Sequence, residues 1–102
     1  MAKIKAADVN ELADGEAKRI DIDGRPIVLV KDKGKFYAIE EACPHAGCSL
    51  ADFSQVSEGE VECTCHGSKF NLKTGQVTNP PATEPLKTYP VLIEGGDVFV
   101  EI

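Results

Sequence analysis

The stretch from Ile20 to Ile39, Ile-Asp-Ile-Asp-Gly-Arg-Pro-Ile-Val-Leu-Val-Lys-Asp-Lys-Gly-Lys-Phe-Tyr-Ala-Ile, reads as strands joined by tight turns. Ile20-Asp21-Ile22 alternates apolar with polar, the period of a strand with one face buried. Asp23-Gly24 is a hairpin signal, because a two-residue turn with the right twist needs residues that tolerate positive φ. Ile27-Val28-Leu29-Val30 is rich in β-branched side chains, and Lys33-Gly34 leads into Phe36-Tyr37-Ala38-Ile39.

Outward from this block the pattern continues. Val91-Leu92-Ile93 and Val98-Phe99-Val100 flank Gly95-Gly96, a second hairpin signal. Weaker strands are expected over Glu60–Cys63 and Lys69–Leu72, the latter turning through Thr74-Gly75 into Gln76-Val77. Only Asp8–Leu12 suggests helix, as one turn with Asp8 as its cap. Pro80, Pro81, Pro85 and Pro90 each remove a backbone donor, so an extended loop is expected after Val77. The chain thus predicts an all-β fold of stacked antiparallel sheets with at most a short helical turn, in one domain over residues 1–102.

A formal charge of −6 argues against nucleic acid as a partner, since phosphate binding needs a basic footprint. It suits docking on a basic patch of another protein, and equally it can do no more than keep a protein soluble. No N-terminal segment has the layout of a secretory signal, and no apolar stretch approaches the roughly 20 residues that span a bilayer. A cytoplasmic protein with no membrane partner is expected. Four cysteines in that setting point first to metal or redox chemistry.

The candidate chemistry sits in two boxes, Cys43-Pro44-His45-Ala46-Gly47-Cys48 and Cys63-Thr64-Cys65-His66-Gly67-Ser68. They contain both histidines and all four cysteines of the chain, so two loops can approach one cofactor from opposite sides. A structural zinc site would pair its ligands as C-x₂₋₄-C and H-x₃₋₅-H, and would leave Cys48 and Cys65 without a role. A c-type haem needs C-x-x-C-H, one residue more than Cys63-Thr64-Cys65-His66 provides. Neither box supplies the C-x-x-C of a thioredoxin-like pair, a two-disulfide domain needs no histidines, and a Cys/His nucleophile does not call for two pairs.

The C-x-H and C-x-x-H spacing closely resembles the Rieske iron–sulfur family, along nearly the whole chain. The resemblance implies one [2Fe–2S] cluster in a two-loop subdomain over about residues 41–81. One iron would be held by the thiolates of Cys43 and Cys63, the other by the imidazoles of His45 and His66. Two neutral imidazoles in place of two thiolates leave the cluster less negative, which raises its potential. Reduction should also couple to imidazole protonation at high pH.

The resemblance also implies a disulfide between Cys48 and Cys65, as in the quinol-oxidising members; a reduced, buried thiol pair is the other reading in a reducing cytosol. In high-potential members a serine matching Ser68 donates to a cluster sulfide, and a tyrosine two positions later donates to a ligand sulfur. Here that position is Phe70, which has no donor. A potential below that of the quinol-oxidising members, and above that of ferredoxins lacking the disulfide and the serine, is expected. Gly47 and Gly67, like Pro44, suit tight loops with amides turned toward sulfides, although turns need Gly and Pro anyway. Pro81, with Pro80, matches the family's proline loop that shields the cluster from a third side.

What the resemblance implies is a one-electron carrier rather than an enzyme. It would be a monomer passing electrons between a reductase and an acceptor such as an oxygenase. The alternative is a Rieske subunit or fragment of a quinol-oxidising or assimilatory reductase complex.

Overall fold

The computed structural model describes residues 3–42, 47–65, 67–80 and 82–102. Cys43, Pro44, His45, Ala46, His66 and Pro81, six of the positions singled out above or lying between them, fall outside the described residues.

Eleven strands form three antiparallel sheets among these residues. The strands β1 (Lys3–Asp8), β10 (Val91–Glu94) and β11 (Asp97–Glu101) make one sheet in the order β1-β11-β10. A central sheet runs β2 (Ala17–Ile22), β3 (Arg25–Asp32), β4 (Lys35–Glu40) and β9 (Thr88–Tyr89). The third contains β5 (Ser54–Ser57), β6 (Glu60–Cys63), β7 (Lys69–Asn71) and β8 (Val77–Asn79) in chain order.

β3 explains the stacking. Its residues Ile27, Val28, Leu29 and Val30 are all fully buried, which a strand with only one covered face could not achieve. Ile27 and Leu29 pack with Ala7, Ile22, Val98 and Val100 toward the first sheet. Val28 and Val30 pack the other way with Ile39, Val61, Phe70 and Leu72. The central sheet is therefore the middle of three layers, and its two cores meet at one strand. Burying each such side chain contributes roughly 1.5–3 kcal/mol.

The predicted turns at Asp23-Gly24, Lys33-Gly34 and Gly95-Gly96 have positive φ at both central residues, as two-residue hairpins require. Glu58-Gly59 forms a fourth such turn that the sequence reading passed over. Its Gly59 amide donates to Asp32 Oδ2 at 2.7 Å, so the buried Asp32 carboxylate joins the middle layer to the third sheet.

At Asp8–Leu12 the structure has a single hydrogen-bonded turn that follows directly from β1, with no helix. Its capping chemistry is present: the Glu11 amide donates to the Asp8 carbonyl at 3.0 Å, and the Asp8 amide donates to Glu11 Oε1 at 3.1 Å. The Lys18 ammonium, with that amide, holds the Glu11 carboxyl below its ordinary pKa. Leu12 is buried in the first core, and Gly15, at φ of 87°, donates its amide to the Lys31 carbonyl at 2.6 Å and turns the chain toward β2. Strands β1, β5 and β9 were not expected. The segment after Val77 is also less loop-like than expected, since β8 reaches Asn79 and Thr88–Tyr89 pairs with β4.

Candidate metal centre

The residues flanking the first box are anchored to each other. The Leu50 amide donates to the Glu41 carbonyl at 2.8 Å, and Ala42 bridges Ser49. Gly47 is exposed within the loop, with φ of 71°.

The second box is the turn between β6 and β7. Cys63 ends β6, where its amide donates to the Ser68 carbonyl and its carbonyl accepts from the Gly67 amide, both at 2.8 Å. Gly67 makes this tight reversal with φ of 82°. Outside it, the Thr64 amide donates to the Phe53 carbonyl at 3.0 Å, which fixes Phe53 against the box.

The two boxes are joined covalently by a disulfide between Cys48 and Cys65, with Cα atoms 6.7 Å apart. The sulfurs of Cys48, Cys63 and Cys65 lie within 4.8 Å of one another. Cys63 is fully buried and shares a core with Leu50, Val61, Phe70 and Leu72, against which Cys48 and Cys65 also pack. The cross-link thus places the Cys63 sulfur where the two loops meet.

A third segment closes on the second box. Asn79 Nδ2 donates to the Gly67 carbonyl at 2.9 Å, and the Ala82 amide donates to Ser68 Oγ at 3.0 Å. The latter bond uses a lone pair of the fully buried hydroxyl and leaves its proton for another acceptor. Asn79 and Ala82 therefore fasten this segment to the second box.

Of the residues singled out in the sequence, the structure brings together Cys48, Cys63, Cys65, Gly67, Ser68 and Phe70. Cys43, His45, His66 and Pro81 lie outside the described residues. The donor set suits an iron–sulfur centre: a buried thiol at the junction of two tied loops, a buried hydroxyl with a proton to give, and Cys and His in each box. Sequence reasoning missed Asn79, Glu41 and Phe53. Only the exposure of Phe53 and the bonds of the other two reveal them.

Phe70 is fully buried in the same core as Cys63, so packing accounts for its presence. Phe70→Tyr is expected to raise the midpoint potential by adding a donor to the core that holds Cys63. A redox titration showing no rise would leave Phe70 with a packing role alone.

The Rieske [2Fe-2S] domain model matches residues 2–90. The 3-phenylpropionate/cinnamic acid dioxygenase ferredoxin subunit of Escherichia coli strain K12 is 42% identical over 103 residues, covering 100% of this chain and 95% of that protein. The biphenyl dioxygenase ferredoxin subunit of Pseudomonas sp. strain KKS102 is 39% identical over 101 residues, 99% of this chain and 93% of its own length. In a solved complex of reduced oxygenase and oxidised ferredoxin from carbazole 1,9a-dioxygenase, one chain superposes with a TM-score of 0.89 at 28% identity, covering 96% of this chain and 100% of itself.

Proposed function

This chain belongs to the Rieske [2Fe–2S] family, and we propose that it carries single electrons from a reductase to an acceptor such as an aromatic-ring oxygenase. It holds one [2Fe–2S] cluster, which supplies a one-electron couple with no open coordination site for a substrate. The ligands are Cys43 and Cys63 on one iron and His45 and His66 on the other, in a single domain over 1–102 whose cluster-binding part spans about 41–81. The observation that carries this reading is the meeting of Cys63 with the Cys48–Cys65 bridge, sulfurs within 4.8 Å, at the junction of the two boxes.

The relatives named above are dioxygenase ferredoxin subunits, which favours a carrier over a subunit of a quinol-oxidising complex. No helix among the described residues is long and apolar enough to cross a membrane. We place the carrier in the cytoplasm, as a monomer that docks briefly and performs no catalysis of its own.

An EPR-monitored redox titration tests the assignment. A reduced-state signal with the lowered average g of a mixed Cys/His centre is the expected result. Fully metallated protein that gives no such signal at any potential would sink it and bring zinc forward.

Docking should occur at the cluster end, with His45 and His66 as the exit route. Phe53 is 51% exposed there, hydrogen-bonded through its carbonyl to Thr64 between the two cysteines of the second box. Across the cluster-bearing segments 41–54, 62–69 and 79–85 the only lysine or arginine is Lys69, against Asp52, Glu62 and Glu84, while Glu41 is paired with Arg19. An apolar anchor inside an acidic rim suits an acceptor with a basic-rimmed pocket. Phe53→Ser is expected to slow reduction of the oxygenase component of a biphenyl dioxygenase about tenfold or more, as loss of an interface aromatic typically does, while leaving the midpoint unchanged. Equal stopped-flow rates for variant and wild type would remove Phe53 from the interface.

A further inference from the structure

We infer that Arg19, Glu41 and Ser49 form a positioning strut that fixes the stems of the first cluster loop and balances the charge beside the cluster; this rests on the cluster assignment above. Glu41 Oε2 accepts from two donors at once, Arg19 Nη1 at 3.0 Å and Ser49 Oγ at 3.1 Å. Its carbonyl accepts from the Leu50 amide at 2.8 Å. One residue therefore ties strand β2 of the central sheet to both the stem entering the loop and the stem leaving it. The Ser49 hydroxyl in turn accepts from the Ala51 amide at 3.3 Å, so the returning stem is held twice.

This arrangement is poorly explained as a stabilising ion pair. Arg19 has 52% of its side chain exposed, and pairs of that kind contribute little to folding. Glu41 is only 18% exposed, and it stands two residues ahead of Cys43, so their Cα atoms are at most about 7 Å apart. A carboxylate in that position opposes the arrival of an electron on the neighbouring iron. Arg19 offsets it. The guanidinium also reaches Asp21 Oδ1 at 3.4 Å, so it is held toward the strut from its own strand as well.

The two charges make opposite demands, which a purely mechanical role would not. Arg19→Gln leaves the carboxylate uncompensated and is expected to lower the midpoint potential. Glu41→Gln removes the carboxylate while keeping an acceptor for Ser49, and is expected to raise it. The double variant Arg19→Gln/Glu41→Gln should return close to wild type, Arg19→Lys should stay near it, and the opposed shifts should shrink in high salt. Faster hydrogen exchange at the Leu50 amide in both single variants would report the loosened stem. Midpoints that move in the same direction, or do not move, would overturn the charge role. Unchanged Leu50 exchange would overturn the strut. Loss of the cluster in the Arg19→Lys variant, with its charge intact, would likewise overturn the balance of charge as the reason for the contact.

Discussion

Cys48→Ser/Cys65→Ser is expected to melt far below the wild type and to release its cluster sooner. The bridge spans a sequence separation of 17 residues, and closing a loop of that size stabilises by about 3 kcal/mol on the chain-entropy account. That is a large part of the roughly 5–15 kcal/mol that holds a small domain folded. For a domain of this size it corresponds to a fall in Tm of roughly 12–24 °C. The double variant is the informative one. Removing Cys48 alone leaves a thiol at Cys65, within 4.8 Å of the Cys63 sulfur, as a competing donor beside the site. Calorimetry with and without dithiothreitol checks the claim: reductant should lower the wild-type Tm toward that of the variant and leave the variant unmoved. A wild-type melting point indifferent to complete reduction, verified by thiol counting, would show that the bridge does not hold the two loops together.

The fold was largely legible because its deciding strand declares itself. Ile27-Val28-Leu29-Val30 is apolar on both faces, and the structure buries both faces. The missed strands lack any such signal. β5 is Ser-Gln-Val-Ser with half of it exposed, β9 is two residues between prolines, and β1 carries alanines where a half-buried strand would show larger side chains. Their pairing is decided by the sheets they join, not by their own propensity. The Asp8–Leu12 turn shows the reverse case: the capping residues are where a helix would need them, but the chain leaves at Gly15, whose amide is held by the Lys31 carbonyl.

The site divides along the same line. The cysteines and histidines are readable because their types and spacing carry the chemistry. The bridge between Cys48 and Cys65 follows from the family resemblance, since spacing alone leaves the pairing open. Arg19 and Glu41 are 22 residues apart, on different elements, and nothing in either neighbourhood anticipates their meeting. Contacts made across sheets, such as Asn79 with Gly67, become visible only once the sheets are stacked.

Gly75→Ala carries the other large expected loss, at a position where the sequence suggests only a turn. Gly75 has φ of 80°, and a Cβ built on it would lie 2.0 Å from the Leu86 carbonyl oxygen and 3.2 Å from Thr88 Cγ2. The obstacle is backbone, so no rotamer change relieves it. The residue is also held from both sides: its amide donates to the Asn71 carbonyl and its carbonyl accepts from the Leu86 amide, each at 2.7 Å. Left-handed backbone costs a non-glycine residue roughly 1–2 kcal/mol, and disturbing two buried hydrogen bonds adds about 1 kcal/mol each, so a loss of at least about 3 kcal/mol is expected before the clash is counted. The consequence reaches the cluster through Leu86 and Ala82. Both belong to the core that contains Cys63, and the Ala82 amide is the donor that latches onto Ser68. If the 82–88 segment is pushed off Gly75, that latch opens beside the second box. The variant should therefore lose at least roughly 12 °C in Tm, and surviving holoprotein should release iron faster than wild type. Thr74→Ala, one residue earlier and exposed, removes only a hydroxyl that accepts from the Gln76 amide at 3.2 Å and should melt within a few degrees of wild type. A Gly75→Ala protein that melts alongside Thr74→Ala would mean that the crossing segment yields freely, and that its hold on the second box is not set at Gly75.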